Sequence, residues 1–193
     1  RWSGDCRRLA ELVSESFVKD LQPWFQREWF VVHEGLLAAL SSVSRMDMSS
    51  EMSGAFEKLR AWFRLVERTL PRSVFTSWAL EIAAAVDEAL FEAFAVIHHP
   101  RVSAEWARQI DFDVSLLFVI WSGVTKQPRH LFKKTCDVMR ILQMSDNELI
   151  ALAATLQMKS VEDRALMLHD RFKLTEIKTD QIATIVRLRE DVE

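Results

Sequence analysis

The sequence predicts an all-α protein, a bundle of eight or nine helices, and three observations support this prediction. The chain of 193 residues contains only four glycines and four prolines, too few for the tight turns of an all-β fold or a Rossmann domain. Apolar residues recur at steps of three and four along most of the chain, as in amphipathic helices. Apolar residues make up 49% of the chain, which is enough to bury a core. We expect one domain over residues 1–193, cut from a longer protein.

The helices of the first half are predicted from apolar stripes and from the prolines, which can open a helix in its first turn. The predicted helices span residues 5–21, 23–43, 53–69 and 72–97. Residues 44–53, rich in serine and methionine, are predicted to form a loop. The helix over 72–97 has the strongest pattern, because Phe75, Ile82 and Val86 belong to a stripe that continues over six turns. Residues 98–101 are predicted to end it.

The second half contains explicit start signals for helices. Ser103 can cap a fifth helix that runs to about residue 122, and residues 114–121 are apolar nearly all round, which favours a central, buried helix. A sixth helix is predicted from Pro128 to about residue 144. The seventh begins at a capping box of Ser145 and Glu148. A short eighth helix follows a cap at Ser160, and the last helix follows residue 179.

Charge and hydropathy exclude several classes of protein. There are 25 Lys and Arg against 28 Asp and Glu, a net charge of −3, so no direct nucleic-acid partner is predicted. The longest uncharged run, residues 114–125, is shorter than the roughly 20 residues of a membrane-spanning helix. The two cysteines suit a reducing compartment. We therefore predict a cytoplasmic protein.

No motif for catalysis or for a cofactor occurs in the sequence. Glycine-rich phosphate loops, a nucleophile elbow and paired Glu-x-x-His motifs are all absent. Asp111 and Asp113 are two residues apart on a predicted helix, so their carboxylates diverge. We predict no catalytic residue, no cofactor and no metal site.

A basic cluster is the candidate partner-binding site. Its members are Lys126, Arg129, Lys133, Lys134 and Arg140. Only one acidic residue lies within this stretch of fifteen residues. The cluster can contact an acidic protein or anionic lipid head groups. The alternative is a solvated helix face that balances an acidic chain.

Residues 110–144, IDFDVSLLFVIWSGVTKQPRHLFKKTCDVMRILQM, resemble a signature near the C-terminus of multisubunit vesicle-tethering subunits. In that signature a Phe-Asp pair opens a buried helix, a Lys-x-Pro turn and a Phe follow, and the next helix ends in an apolar pair. The chain end also resembles the terminal helix of the same family. The matching residues here are Phe112, Asp113, Lys126, Pro128, Phe132, Ile141, Leu142, Leu188 and Arg189.

Among these tethers the sequence is most similar to the RINT/Tip family of the ER-associated NRZ complex. The resemblance implies the C-terminal helical bundle of a rod-like, non-catalytic tether that acts in Golgi-to-ER retrograde transport. Its implied partners are sister tether subunits and ER SNAREs or other trafficking proteins. Its implied location is peripheral, on the cytosolic face of the endoplasmic reticulum. The alternatives are a subunit of the COG or exocyst complex, or a basic module that binds lipid or an acidic partner.

Overall fold

A computed structural model describes residues 2–26, 49–96, 102 and 104–189. These residues form eight α-helices and two short 3₁₀ helices. The α-helices are α1 (Trp2–Gln26), α2 (Ser50–Thr69), α3 (Arg72–Val96), α4 (Ala104–Phe118), α5 (Lys133–Leu142), α6 (Asp146–Leu156), α7 (Val161–Asp170) and α8 (Thr179–Val186). The 3₁₀ helices, Val119–Gly123 and Pro128–Leu131, lie between α4 and α5. The described residues contain one isolated β-bridge, between Val102 and Arg189, and the all-α prediction is confirmed.

Helix α3 lies at the centre of the fold. It packs against α1 and α2 on one side and contacts α5 and α8 on the other. Two adjacent stripes of its residues are buried, a wider apolar surface than a helix with one covered face needs. The buried residues are Phe75, Trp78, Ala79, Ile82, Ala83, Val86, Leu90, Phe91 and Phe94. Both halves of the described chain are therefore built on this helix.

A column of aromatic rings joins the two halves. Phe63 of α2 lies 5.2 Å from Trp78 and 5.0 Å from Trp121, measured between ring centroids. The centroids of the Trp121 and Phe132 rings are 4.8 Å apart, and the Phe132 ring stacks on that of Phe118 with 4.6 Å between centroids. Aromatic pairs in these geometries add to the free energy gained from burial. The indole N–H of Trp121 also donates to the carbonyl of Ala79, 2.8 Å away, which holds the 3₁₀ helix Val119–Gly123 against α3.

The predicted helix boundary at Pro23 is wrong. Helix α1 continues past this proline to Gln26. Proline removes one backbone donor, and near the end of a helix that packs along α2 and α3 this loss does not stop the helix. Most of the predicted helix over 23–43 lies outside the described residues. The same holds for residues 44–48 of the predicted loop, for the break at 98–101 and for the cap at Ser103. The loop prediction is wrong for residues 50–53, which form the first turn of α2 after the N-cap Ser49.

The predicted bounds of the fifth and sixth helices are also corrected. Helix α4 ends at Phe118, and the chain tightens into a 3₁₀ helix that brings Trp121 into the core. The helix predicted from Pro128 is divided at Phe132, whose φ of −118° and ψ of 54° are not helical. This turn places the Phe132 ring, which is fully buried, between Phe118 and Trp121. Packing of aromatic side chains thus overrides helical continuity.

Candidate partner-binding groove

A groove with a cavity volume of about 820 Å³ lies beside α5, and we call it the α5 groove. Its walls come from α5, the 3₁₀ helix Pro128–Leu131, the segment 171–176 and residues of α4 and α6. Its floor is apolar and its rim carries charges of both signs. The buried floor residues are Phe118, Met139, Met144 and Phe172. The basic rim residues are Arg129, Lys133, Arg140, Arg171 and Lys173, and the acidic ones are Asp111, Glu148 and Glu176.

The direction of α5, which carries the groove, is fixed by a buried aspartate of α3. The carboxylate of Asp87 accepts the backbone N–H of Thr135 at 2.8 Å and that of Lys134 at 3.2 Å. First-turn N–H groups have no partner within their own helix, so an external carboxylate can accept their hydrogen bonds. Its negative charge is also attracted to the partial positive charge at this end of the helix. Burial raises the pKa of Asp87, and the hydrogen bonds from Thr135 partly oppose that rise.

The opposite wall of the groove is held to α5 by Asp137. This residue is almost fully buried, and its Oδ2 atom accepts the backbone N–H groups of Thr175 and Glu176, both at 2.9 Å. Asp137 is the one acidic residue within the predicted basic cluster, and the alternative of a solvated helix face is wrong for it. A carboxylate that satisfies two backbone donors is a structural anchor, so the rim cations are fixed in relation to the segment 171–176.

Lys173 has an unusual backbone conformation at the rim. Its φ is 56°, in the left-handed region that non-glycine residues rarely adopt. Its N–H donates to the carbonyl of His169 at 3.1 Å, which closes the C-terminus of α7. The Lys173 carbonyl accepts a hydrogen bond from the guanidinium of Arg140. This conformation therefore ties the end of α7 to α5.

The structure brings three of the five predicted basic residues into the groove. Arg129, Lys133 and Arg140 line it, and the Arg129 guanidinium donates to the Ser115 hydroxyl at 2.8 Å. Lys133 forms an exposed ion pair with Glu176, with 3.1 Å between nitrogen and oxygen. Surface pairs of this kind contribute little to stability, so both charges can exchange partners.

The other two predicted residues lie outside the groove lining. Lys134 is paired with Glu88 of α3, and its ammonium group lies 5.3 Å from the centre of the Phe91 ring. Lys126 is exposed in the turn between the two 3₁₀ helices. Arg171 and Lys173 also line the groove but were not predicted, because they lie more than thirty residues further along the chain than the basic cluster. No local pattern in the sequence indicated them.

Cys136 lines the groove but is not an activated thiol. It is half-buried, and burial raises its pKa to about 11. The nearby Arg129 and Arg140 guanidinium groups only partly oppose this rise. At neutral pH the thiol is protonated and is a poor nucleophile.

The two residues of the Phe-Asp pair in the family signature differ in burial and in what they contact. In the signature the Phe-Asp pair opens a buried helix, but Phe112 itself is only half-buried. Asp113 is fully buried, and its carboxylate accepts the N–H of Ser49 at 3.1 Å and the Ser49 hydroxyl at 2.6 Å. Ser49 is the N-cap residue of α2. Asp113 therefore ties α4 to the start of α2.

The remaining signature residues are also structural. Phe132 and Leu142 are fully buried, and Pro128 begins the second 3₁₀ helix. Arg189 is buried, and one nitrogen of its guanidinium donates to the carbonyls of Leu142 and Met144, the latter at 3.0 Å. These carbonyls lie at the end of α5, where no intrahelical donor remains. Arg189 thus closes the C-terminus of α5, and its neighbour Leu188 is buried in the core.

Neither a membrane span nor a metal site is found in the part of the chain that the structure describes. None of the described helices is long and apolar enough to cross a bilayer. Within the same ranges, 2–26, 49–96, 102 and 104–189, no three His, Cys, Asp or Glu side chains are grouped as metal ligands would be.

The chain is similar to proteins of one family. The model of the RINT-1/TIP-1 family matches residues 6–189, nearly the whole chain. A RINT1-like protein of Drosophila melanogaster is 27% identical over 139 residues, which cover 71% of this chain. The same match covers 19% of that relative, so the chain spans only about a fifth of its length. No solved structure matches the chain.

Proposed function

Since the chain belongs to the RINT-1/TIP-1 family, we propose that it is part of a non-catalytic subunit of a vesicle-tethering complex. In this proposal it acts in Golgi-to-ER retrograde transport, on the cytosolic face of the endoplasmic reticulum. It binds ER SNAREs or other trafficking proteins and contacts sister subunits of the complex. The observation that carries the proposal is the family match over residues 6–189.

The use of the buried polar side chains supports a binding role over catalysis. Asp87, Asp113 and Asp137 each accept hydrogen bonds from the backbone of another segment, and Arg189 donates to two carbonyls. Catalytic groups need a free position toward a substrate, whereas these groups are occupied in holding the fold. The exposed cations lie instead on the rim of the α5 groove, where they can meet a protein partner.

A tether acts by raising the effective concentration of the components it links. Such a subunit needs docking surfaces with rigid geometry, because each mobile side chain ordered on binding weakens affinity. The α5 groove meets this need, since Asp87 and Asp137 fix its walls from two sides.

Affinity purification from cytosol and from detergent-solubilised endoplasmic reticulum, followed by mass spectrometry, tests the proposal. We expect ER SNAREs or sister tether subunits to be recovered with the chain. Recovery of COG or exocyst subunits in their place would contradict the retrograde assignment. Flotation with anionic liposomes tests the lipid alternative, because binding through the basic residues alone should weaken as salt rises.

A further inference from the structure

The α5 groove has an unusual combination of an apolar floor and a partly unpaired basic rim. Among the described residues, no carboxylate lies within ion-pair distance of Arg129, Arg171 or Lys173. Lys133 is paired only through an exposed contact with Glu176. Four cations are thus available around one concavity.

The basic rim favours acidic groups of a partner, and the apolar floor favours apolar groups. Met139 and Phe172 line the groove and are almost fully buried from solvent, whereas the cations of the rim are exposed. Methionine and aromatic side chains accommodate apolar groups of various shapes. The volume of about 820 Å³ lies within the range of about 300–1,000 Å³ that is typical of ligand sites. A partner that fits both parts carries apolar side chains flanked by acidic ones.

We propose that the α5 groove binds an acidic peptide segment of a partner protein, with an apolar side chain of that segment on the floor. This inference rests on the proposed function, because it gives the chemistry of the trafficking partner at this surface. Charge complementarity around the rim would set the orientation of the segment, and contact with the floor would anchor it.

A protein segment fits the groove better than a membrane surface does. A bilayer is nearly flat, whereas the apolar residues that line the groove are almost fully buried. Asp111, Glu148 and Glu176 also lie along the same rim and would face the anionic head groups. A peptide chain can place basic or polar residues opposite these carboxylates, whereas a uniformly anionic surface cannot.

The strained conformation of Lys173 adds to this inference. Glycine or asparagine adopts a φ of 56° more readily than lysine does, so this position favours a smaller residue for stability alone. The lysine adds a cation to the rim beside Arg171. Neither forms a close ion pair within the described chain, although the charge of Arg171 helps to lower the pKa of Glu148 on the same rim. Replacement of Lys173 with glycine should therefore relieve backbone strain and weaken peptide binding at the same time.

The test measures binding of the whole chain to a short fluorescent peptide in which leucines are flanked by glutamates. Fluorescence anisotropy compares it with two matched peptides, one with glutamines for the glutamates and one with serines for the leucines. We expect both changes to weaken binding by about tenfold or more, because one removes the charge contacts and the other the contact with the floor. Equal binding of the glutamate and glutamine peptides, or no binding of either, would overturn the inference.

Protein variants locate the site. The groove variant carries Arg129→Gln, Arg171→Gln and Lys173→Gln, and its matched control carries Arg64→Gln, Arg68→Gln and Arg72→Gln. The control residues are exposed, lie outside the groove lining and change the net charge equally. We expect the groove variant to lose about tenfold in affinity and the control to bind like the wild type. Equal affinities in both variants would overturn the inference.

Two controls distinguish peptide binding from a folding defect and from membrane binding. If the glutamine variant unfolds, the variant Arg129→Lys and Arg171→Lys retains the charges and should keep most of the affinity. Vesicles that contain phosphatidylserine test the membrane alternative, and groove-dependent vesicle binding without peptide binding would overturn the inference. In that case, recovery of ER SNAREs with the intact chain would still support the proposed function, so the two can fail separately.

Discussion

The two halves of the described chain are held together by different interactions. Helices α1 to α3 are long, and apolar stripes along them form the contacts among these helices. Helices α4 to α8 are shorter, and buried polar side chains bind the backbone where one segment meets another. Asp113, Asp137 and Arg189 all belong to this second group. Two buried polar side chains link the halves, since Asp87 of α3 holds the start of α5 and Asp113 of α4 holds the start of α2.

This difference has a physical cause. A long helix buries enough apolar surface to fix its position by packing alone, whereas a helix of about ten residues buries less and exposes proportionally more unpaired backbone at its ends. Polar side chains that satisfy these ends therefore position the short helices. The α5 groove lies among them, so its shape depends on hydrogen bonds that the core of the first half does not need.

The largest expected effect is at Arg189. Replacement with methionine keeps most of the length of the side chain but leaves the carbonyls of Leu142 and Met144 without their donor. We expect the free energy of unfolding to fall by about 3–5 kcal/mol, because each of the two buried carbonyls left without a donor costs about 1–3 kcal/mol. Urea unfolding measures this loss. The exposed neighbour Arg187→Met is the matched control, and similar losses in both variants would contradict the role of Arg189.

The next effect concerns the link between α4 and α2. Asp113→Ala leaves the N–H and hydroxyl of Ser49 without an acceptor, and we expect a loss of about 2–3 kcal/mol. Asp111→Ala, on the same helix but half-buried, should change stability by less than about 0.5 kcal/mol. Thermal unfolding of both variants measures the contrast. A smaller loss for Asp113 than for Asp111 would show that the link does not contribute.

The half-buried ring of Phe112 gives a smaller effect. Phe112→Ala should lower the free energy of unfolding by about 1–2 kcal/mol, because only part of the ring leaves an apolar environment. Phe118→Ala should cost about 3–5 kcal/mol, since that ring is buried and stacks on Phe132. Chemical denaturation compares the two. Equal losses would mean that Phe112 is a core residue.

The smallest effect is the pH dependence contributed by Asp87. Burial raises its pKa in the folded chain above the ordinary value of 3.8, so the folded state binds the proton more tightly than the unfolded state. Its contribution to stability is therefore fully present below pH 3.8 and is lost as the pH rises through the raised value. Unfolding measured over this range should show a decline in the wild type that Asp87→Asn lacks. An identical pH dependence in both proteins would contradict the raised pKa.

The sequence predicted α3 and the starts of α6 and α7 better than it predicted the links between helices. The stripe through Phe75, Ile82 and Val86 identified α3, because periodicity is a local property. The start of α6 was also predicted, and Glu148 accepts the N–H of Ser145 at 2.9 Å. These hydrogen bonds to Ser145 lower the pKa of Glu148. The cap of the next helix is present too, since the Ser160 hydroxyl accepts the N–H of Asp163 at 3.2 Å.

The polar links could not be predicted, because each joins residues that are far apart in the sequence. Asp113 and Ser49 are separated by 64 positions, and Arg189 and Leu142 by 47. The signature of the family included Asp113 and Arg189 but gave no reason for either. In the groove, Lys133 and Arg140 are seven positions apart on one helix, so their proximity could be predicted from the sequence. Arg171 lies near them only because the chain turns back after α7, which the sequence did not indicate.

The signature residues hold the fold, and we propose that the rim of the α5 groove binds the partner. The most direct test is co-precipitation of ER SNAREs and tether subunits with the full-length protein carrying Arg129→Gln, Arg171→Gln and Lys173→Gln. Thermal unfolding of the chain with the same substitutions is measured beside it. We expect this variant to keep its melting temperature and to lose its partners. A variant that is equally stable and recovers the same partners as the wild type would contradict the proposal.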